Sequence, residues 1–94
     1  MLVIRRLIWD SWNAAHIGRH QISIEEAEEV CHGNPVFRSS YGNRILAIGP
    51  TRFGRMLTVA LDPEEEEGVY YPVTARTASR KERRRYMEEK GGEN

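Results

Sequence analysis

Two Ser-x-x-Glu segments fix where helices start in this chain. Ser23 and Glu26 form the first, and Ser79 and Glu82 form the second. In this pattern the serine side chain caps the first turn and the glutamate side chain bonds back to the serine N–H, so a helix begins directly after the serine. Between the two segments, the apolar residues change from a helical period to that of strands. The sequence therefore predicts helices on either side of a block of strands.

Turns divide the block of strands, and one more strand precedes the first helix. Pro72 falls inside the last predicted strand. Because proline has no N–H to give to the ladder, it predicts a sheet edge or a bulge at that point. The predicted strands cover residues 2–9, 36–38, 44–49, 55–61 and 69–75.

Three helices complete the predicted order β-α-α-β-β-β-β-α. The first covers residues 11–19, where Trp12 and Ala15 are expected to face inward and His16 is a further inward candidate. The second follows the first Ser-x-x-Glu segment. The third covers residues 78–89 and is almost entirely polar, which is unusual for a helix held in place by burial.

Short connections between the strands predict antiparallel pairing. We therefore expect an α+β fold: a small antiparallel sheet with two N-terminal helices and a C-terminal basic helix, with the helices packed on one face. The chain has 94 residues, so one domain over residues 1–90 is expected, with a disordered tail at residues 91–94.

Charge is unevenly distributed in a chain whose formal net charge is zero. Asp62 and residues 64–67 place five negative charges within six positions, whereas residues 76–90 carry seven positive charges against three glutamates. This polarity suits one anionic ligand and one cationic partner.

The chain has a single cysteine, Cys31, which excludes an internal disulfide, so a cytoplasmic setting is expected. No apolar run is long enough for a transmembrane helix.

The stretch of residues 73–86 is the main candidate for a binding surface. Arg76 and Arg80 lie where a strand runs into a helix, and guanidinium groups beside a helix N-terminus suit a phosphate. A solvated helix face is the alternative interpretation of such a charge run. The further residues expected to attract or stack on RNA are Lys81, Arg83, Arg84 and Tyr86.

Arg19 and His20 place a fixed cation beside a group that titrates near neutral pH. His16 is four residues before His20, but Ile17 stands where an H-E-x-x-H zinc motif has glutamate, so neither a metal nor a cofactor is expected.

Arg55 opens a central strand, where it points either into a cleft or into water. No P-loop, G-x-G-x-x-G or nucleophile elbow occurs. A basic site with histidine fits metal-independent phosphodiester transfer, in which the ribose 2′-OH of RNA attacks its own phosphorus.

Several short pieces lie in a characteristic order along almost the whole chain. They are Trp9-Asp10 at the end of the first strand, Arg19-His20-Gln21-Ile22-Ser23 before Glu25-Glu26-Ala27, Gly54-Arg55 on a central strand, and Thr74-Ala75-Arg76-Thr77-Ala78-Ser79-Arg80-Lys81-Glu82 at the last helix. In this order and spacing, the chain resembles the BrnT family of bacterial toxins, which are small ribonucleases of the RelE-like superfamily.

The resemblance implies a RelE-like fold and an endoribonuclease that cleaves RNA, with mRNA as the expected target. It also implies a cognate antitoxin, expected to be a ribbon-helix-helix DNA-binding protein. Carried over by position, the catalytic residues are His20 and Arg19, the strand arginine Arg55, and the last-helix arginines Arg76 and Arg80.

Two other functions fit the same basic helix. A nucleic-acid-binding or protein-interaction module without nuclease activity would need the cations but not His20. A structural protein would use the helix only to dock on another subunit.

Overall fold

The computed structural model describes residues 2–91, which form five strands and three helices in one small α+β domain. The sheet order is β1-β5-β4-β3-β2. The elements are β1 (Arg6–Leu7), α1 (Ser11–Gly18), α2 (Ile24–His32), β2 (Val36–Ser39), β3 (Ile45–Pro50), β4 (Met56–Pro63), β5 (Val69–Thr77) and α3 (Arg80–Gly91).

The predicted element order is confirmed, but the sheet is mixed and not purely antiparallel. β2, β3, β4 and β5 pair antiparallel in sequence order, whereas β1 pairs parallel with β5. Only Arg6 and Leu7 of the predicted first strand join the ladder. The prediction was wrong for β1 because this strand pairs with the last strand of the chain, so no hairpin sets its direction.

Helices cover both faces of the sheet, and the prediction of a single covered face was wrong. Thr58 and Arg76 are partners across β4 and β5, so their side chains share one face, where the Thr58 hydroxyl donates a 2.8 Å hydrogen bond to Glu82 of α3. Val59 lies on the opposite face, in the core formed with α1 and α2. The nearly all-polar α3 is therefore held on its own face through a buried carboxylate.

The inward face of α1 differs from the prediction. Asn13 and Ile17 are fully buried, whereas Trp12 is 58% exposed. Asp10 caps the helix, and Asn13 completes a reciprocal capping box with it. Hydropathy favoured Trp12 for the core, but the amide of Asn13 supplies hydrogen bonds that an indole in that position would not supply.

Asn13 also ties α1 to the sheet at the predicted irregularity. Its Nδ2 donates 3.0 Å hydrogen bonds to the carbonyl oxygens of Ile8 and Pro72. The β4–β5 register shifts at this point, since Ala60 pairs with Thr74 and Leu61 pairs with Pro72. The bulge predicted from Pro72 is confirmed, and Asn13 satisfies a carbonyl group that lies at it.

The acidic β4–β5 loop has an internal partner in the N-terminal segment. Glu66 lies 3.3 Å from Arg6 and 3.9 Å from Arg5. The carbonyl oxygen of Gly68 accepts hydrogen bonds from the backbone N–H groups of Arg5 and Arg6, at 2.7 and 3.2 Å. Because Gly68 has φ 83° and a Cβ there would lie 2.7 Å from the Arg5 side chain, glycine suits this contact.

The C-terminal boundary is close to the expected one. α3 extends through Gly91, so the predicted tail begins one residue too early, and the remainder of that tail, residues 92–94, lies outside the described residues. Within residues 2–91, no helix has the length and apolar character needed to cross a membrane.

Replacing Asn13 with alanine is expected to reduce the free energy of unfolding by roughly 2 to 4 kcal/mol, because it removes the two buried hydrogen bonds that the amide donates to the carbonyl groups of Ile8 and Pro72. Urea denaturation followed by circular dichroism measures this. Asn43→Ala, at an exposed turn position, is the matched control and should change stability by less than about 0.5 kcal/mol. Equal effects of the two substitutions would contradict the role of Asn13.

Candidate functional site at the His20 turn

His20 lies on a tightly bonded turn that ends α1. The N–H of Gln21 donates to the carbonyl of Gly18 at 2.9 Å, and the N–H of Ile22 donates to that of Ile17 at 3.1 Å. Gln21 has φ 62°, and this left-handed residue with its two hydrogen bonds forms a Schellman motif. The buried side chains of Ile17 and Ile22 flank the turn, which therefore presents an exposed His20 from a fixed backbone.

Arg55 lies against this turn from the other side. Its Nη1 donates a 2.8 Å hydrogen bond to the carbonyl oxygen of Gln21 and lies 3.1 and 3.2 Å from the two carboxylate oxygens of Glu26. Glu26 also accepts from the N–H of Ser23 at 3.0 Å, as the predicted capping box requires. The hydrogen bond from Ser23 and the contact with Arg55 lower the pKa of Glu26. The strand-start arginine thus reaches the residue next to His20.

Three aromatic side chains form a stripe along the outer face of α1. The rings of Trp12 and His16 stack with centroids 5.3 Å apart and planes 4° apart, and the ring of His20 meets that of His16 edge-on at 5.5 Å. Sequence reasoning assigned Trp12 to the core and missed the stripe. The four-residue spacing of the three residues is the signal that could have revealed it.

Arg76 binds a buried carboxylate at the start of α3. Its two terminal nitrogens donate to the two oxygens of Glu82 at 2.7 and 2.8 Å. Glu82, only 6% exposed, also accepts from Thr58 and from the N–H of Ser79. The hydrogen bonds from Arg76, together with those from Ser79 and Thr58, lower the pKa of Glu82 to about 2. A carboxylate of the protein therefore occupies the junction that was predicted to bind phosphate.

The cations in the first half of α3 are exposed. The N–H of Ala78 donates to the carbonyl of Met56 at 3.0 Å, so α3 starts beside the start of β4, and Arg80 lies at the same end of the sheet as Arg55. The predicted RNA-binding residues Lys81, Arg83 and Arg84 are exposed, whereas Tyr86 is half-buried. Cations in the first turn of a helix oppose its dipole, so these charges do not help α3 to form.

The structure brings together only part of the predicted site. Arg19 and His20 lie on the turn after α1, and Arg55 bonds the backbone of that turn at Gln21, whereas Arg76 lies on the opposite face of the sheet. Within residues 2–91, no hydrogen bond or ion pair links Arg76 or Arg80 to the His20 turn.

The described part of the chain contains no group of three or more His, Cys, Asp or Glu side chains arranged to hold a metal ion. Burial raises the pKa of the Cys31 thiol to about 12, which keeps it protonated in the core.

No family model matches the sequence, and no curated protein matches it either. The resemblance to BrnT toxins therefore remains a prediction, supported by the short pieces quoted above.

Glu82→Gln is expected to destabilise the protein by about 2 to 3 kcal/mol at pH 7. This value allows for solvent around the half-exposed Arg76, which screens the attraction between the guanidinium and the carboxylate. Since folding lowers the pKa of Glu82 from 4.5 to about 2, its contribution is complete above about pH 5 and is lost as the pH falls toward 2. The difference in unfolding free energy between wild type and variant should therefore shrink over that interval.

Urea denaturation at pH 7 and pH 3 makes the comparison. Glu88→Gln, at an exposed position of the same helix, is the matched control and should leave the wild-type pH dependence unchanged. A stability gap between wild type and Glu82→Gln that is the same at both pH values would exclude an ionised Glu82 as its source.

Proposed function

We propose that this protein is an RNA-cleaving enzyme, the toxin of a toxin–antitoxin pair, with its active site at the His20 turn. The observation that carries the proposal is the 2.8 Å hydrogen bond from Arg55 to the carbonyl of Gln21. It places the guanidinium of Arg55 against the backbone of the turn that carries the exposed His20, whose neighbour in the chain is Arg19. Phosphodiester transfer requires a group that transfers protons and cations that stabilise the negative charge on the phosphoryl oxygens. His20, Arg19 and Arg55 would supply these functions.

In the proposed reaction, the ribose 2′-oxygen forms a bond to the adjacent phosphorus, and the bond from phosphorus to the 5′-oxygen breaks. His20 accepts the proton of the 2′-OH as the new bond forms, and it then gives that proton to the leaving 5′-oxygen. Arg19 and Arg55 stabilise the negative charge that develops on the phosphoryl oxygens. The products are a 2′,3′-cyclic phosphate and a free 5′-hydroxyl group.

Arg55 retains capacity for a phosphate even though Glu26 binds it. Only its Nη1 is engaged within residues 2–91, and guanidinium has five N–H donors, so Nη2 and Nε remain available. Arg76 uses both terminal nitrogens on Glu82, so in this proposal it holds α3 in place and does not bind RNA.

The exposed cations of α3 would attract the RNA backbone, and a cognate antitoxin would cover the same basic surface. In keeping with the resemblance, we propose a RelE-like fold, mRNA as the substrate, a ribbon-helix-helix antitoxin and a cytoplasmic setting. The first-turn cations Arg80, Lys81 and Arg83 oppose the helix dipole, which makes α3 less stable. An anionic ligand bound there would offset this unfavourable interaction, and this supports the proposal.

A second function is favoured by one feature, the carboxylates that bind two of the five residues for which the resemblance predicts a catalytic role. Glu26 on Arg55 and Glu82 on Arg76 reduce the positive charge available to a transition state. A protein that binds RNA through α3 without cutting it would tolerate this neutralisation.

Cleavage of a fluorescent single-stranded RNA by the purified protein tests the main proposal. His20→Ala should slow cleavage by about 100-fold or more, the usual contribution of a general acid or base. His32→Ala is the matched control, because His32 lies at the end of α2 and pairs with Glu28, and it should cleave at the wild-type rate.

The competing functions give different results in the same assay. RNA left intact by the wild-type protein, with binding that weakens steeply with salt and survives His20→Ala, would identify a non-catalytic RNA-binding module. Equal loss of cleavage in the two histidine variants would remove His20 from the proposed mechanism.

A further inference from the structure

The outer face of α1 carries a stripe of aromatic rings that the described fold leaves open. Trp12, His16 and His20 touch in sequence along the helix, and the indole of Trp12 is 58% exposed. Asn13 and Ile17 fill the inner face of the same helix, so the core does not use the indole.

The gain in helix stability does not account for an exposed aromatic stripe, because aromatic pairs four residues apart stabilise a helix only slightly. What the stripe adds is aromatic surface next to water, since the indole of Trp12 is 58% exposed, and His20 lies at the other end of the stripe. Flat rings of this kind are the surfaces on which unpaired bases stack in proteins that bind single-stranded nucleic acid.

We propose that the stripe formed by Trp12, His16 and His20 binds unpaired bases of single-stranded RNA beside the phosphate on which His20 acts. This proposal rests on the proposed function, since it requires RNA at the His20 turn. It adds a base-binding surface that requires a single strand, because bases in a duplex are stacked on one another and have no open face for Trp12.

The charges at the two ends of the stripe orient the RNA. Asp10 lies at the Trp12 end, where its carboxylate accepts from the Tyr71 hydroxyl at 3.1 and 3.0 Å, and it would repel a phosphate. Arg19 is exposed at the His20 end. The phosphates therefore lie toward Arg19, and the Trp12 end contacts a base.

Binding of an RNA oligonucleotide with 2′-O-methyl riboses tests the stripe apart from cleavage, since the blocked 2′-oxygen cannot attack. Trp12→Ala should weaken the Kd by about tenfold or more. Tyr41→Ala is the matched control, because Tyr41 is 89% exposed but lies in the β2–β3 turn, at the opposite end of the sheet from Arg55. Its Kd should equal that of wild type.

Unfolding curves should coincide for wild type and Trp12→Ala, because the indole is largely exposed. Affinity for a fully paired RNA duplex should not depend on Trp12. An unchanged Kd of Trp12→Ala for the single strand, an equal loss in Tyr41→Ala, or a wild-type protein that does not bind the oligonucleotide would overturn the proposal.

The stripe and the catalytic proposal can fail separately. A protein that binds the blocked RNA through Trp12 but leaves unmodified RNA intact keeps the stripe and loses the enzyme. Cleavage by Trp12→Ala with the wild-type KM keeps the enzyme and removes the stripe.

Discussion

Each capping-box glutamate in this fold also binds an arginine from a strand. Glu26 starts α2 and holds Arg55 at the entrance to β4, while Glu82 starts α3 and holds Arg76 of β5. The glutamates are placed by local hydrogen bonds with their serines. Arg76 is placed by the sheet register, and Arg55 by the turn that precedes β4. One carboxylate on each side thus fixes a helix start and ties that helix to the sheet, which is how the weakly apolar α3 keeps its position.

The same two pairs decide which cations are left for a ligand. The buried Glu82 engages both terminal nitrogens of Arg76, whereas Glu26 engages only one nitrogen of Arg55. The positive charge available near the sheet therefore concentrates at the His20 turn. The Schellman motif there fixes the backbone under His20, so the candidate site is built on rigid structure at its base and is open to solvent above.

Local interactions in this fold were predictable from the sequence, and long-range ones were not. The helix starts after Ser23 and Ser79, and the bulge at Pro72, follow from contacts within a few residues, and all three are confirmed. The parallel pairing of β1 and the position of α3 on the second face depend on residues more than twenty positions apart, such as Thr58 and Glu82. The burial of Asn13 was not predicted, because hydrogen bonds to two carbonyl groups stabilise it and hydropathy does not reveal such bonds. Of the candidate site, the sequence indicated Arg19, His20 and Arg55, but not the carboxylates that neutralise Arg55 and Arg76.

Chemical-shift mapping of the ¹⁵N-labelled protein with a 2′-O-methyl RNA oligonucleotide tests most directly whether RNA binds at the His20 turn. We expect the largest shifts at the backbone amides of residues 19–21 and at the side-chain Nε–H of Arg55. Shifts confined to the exposed cations of α3, with the His20 turn unchanged, would contradict this expectation.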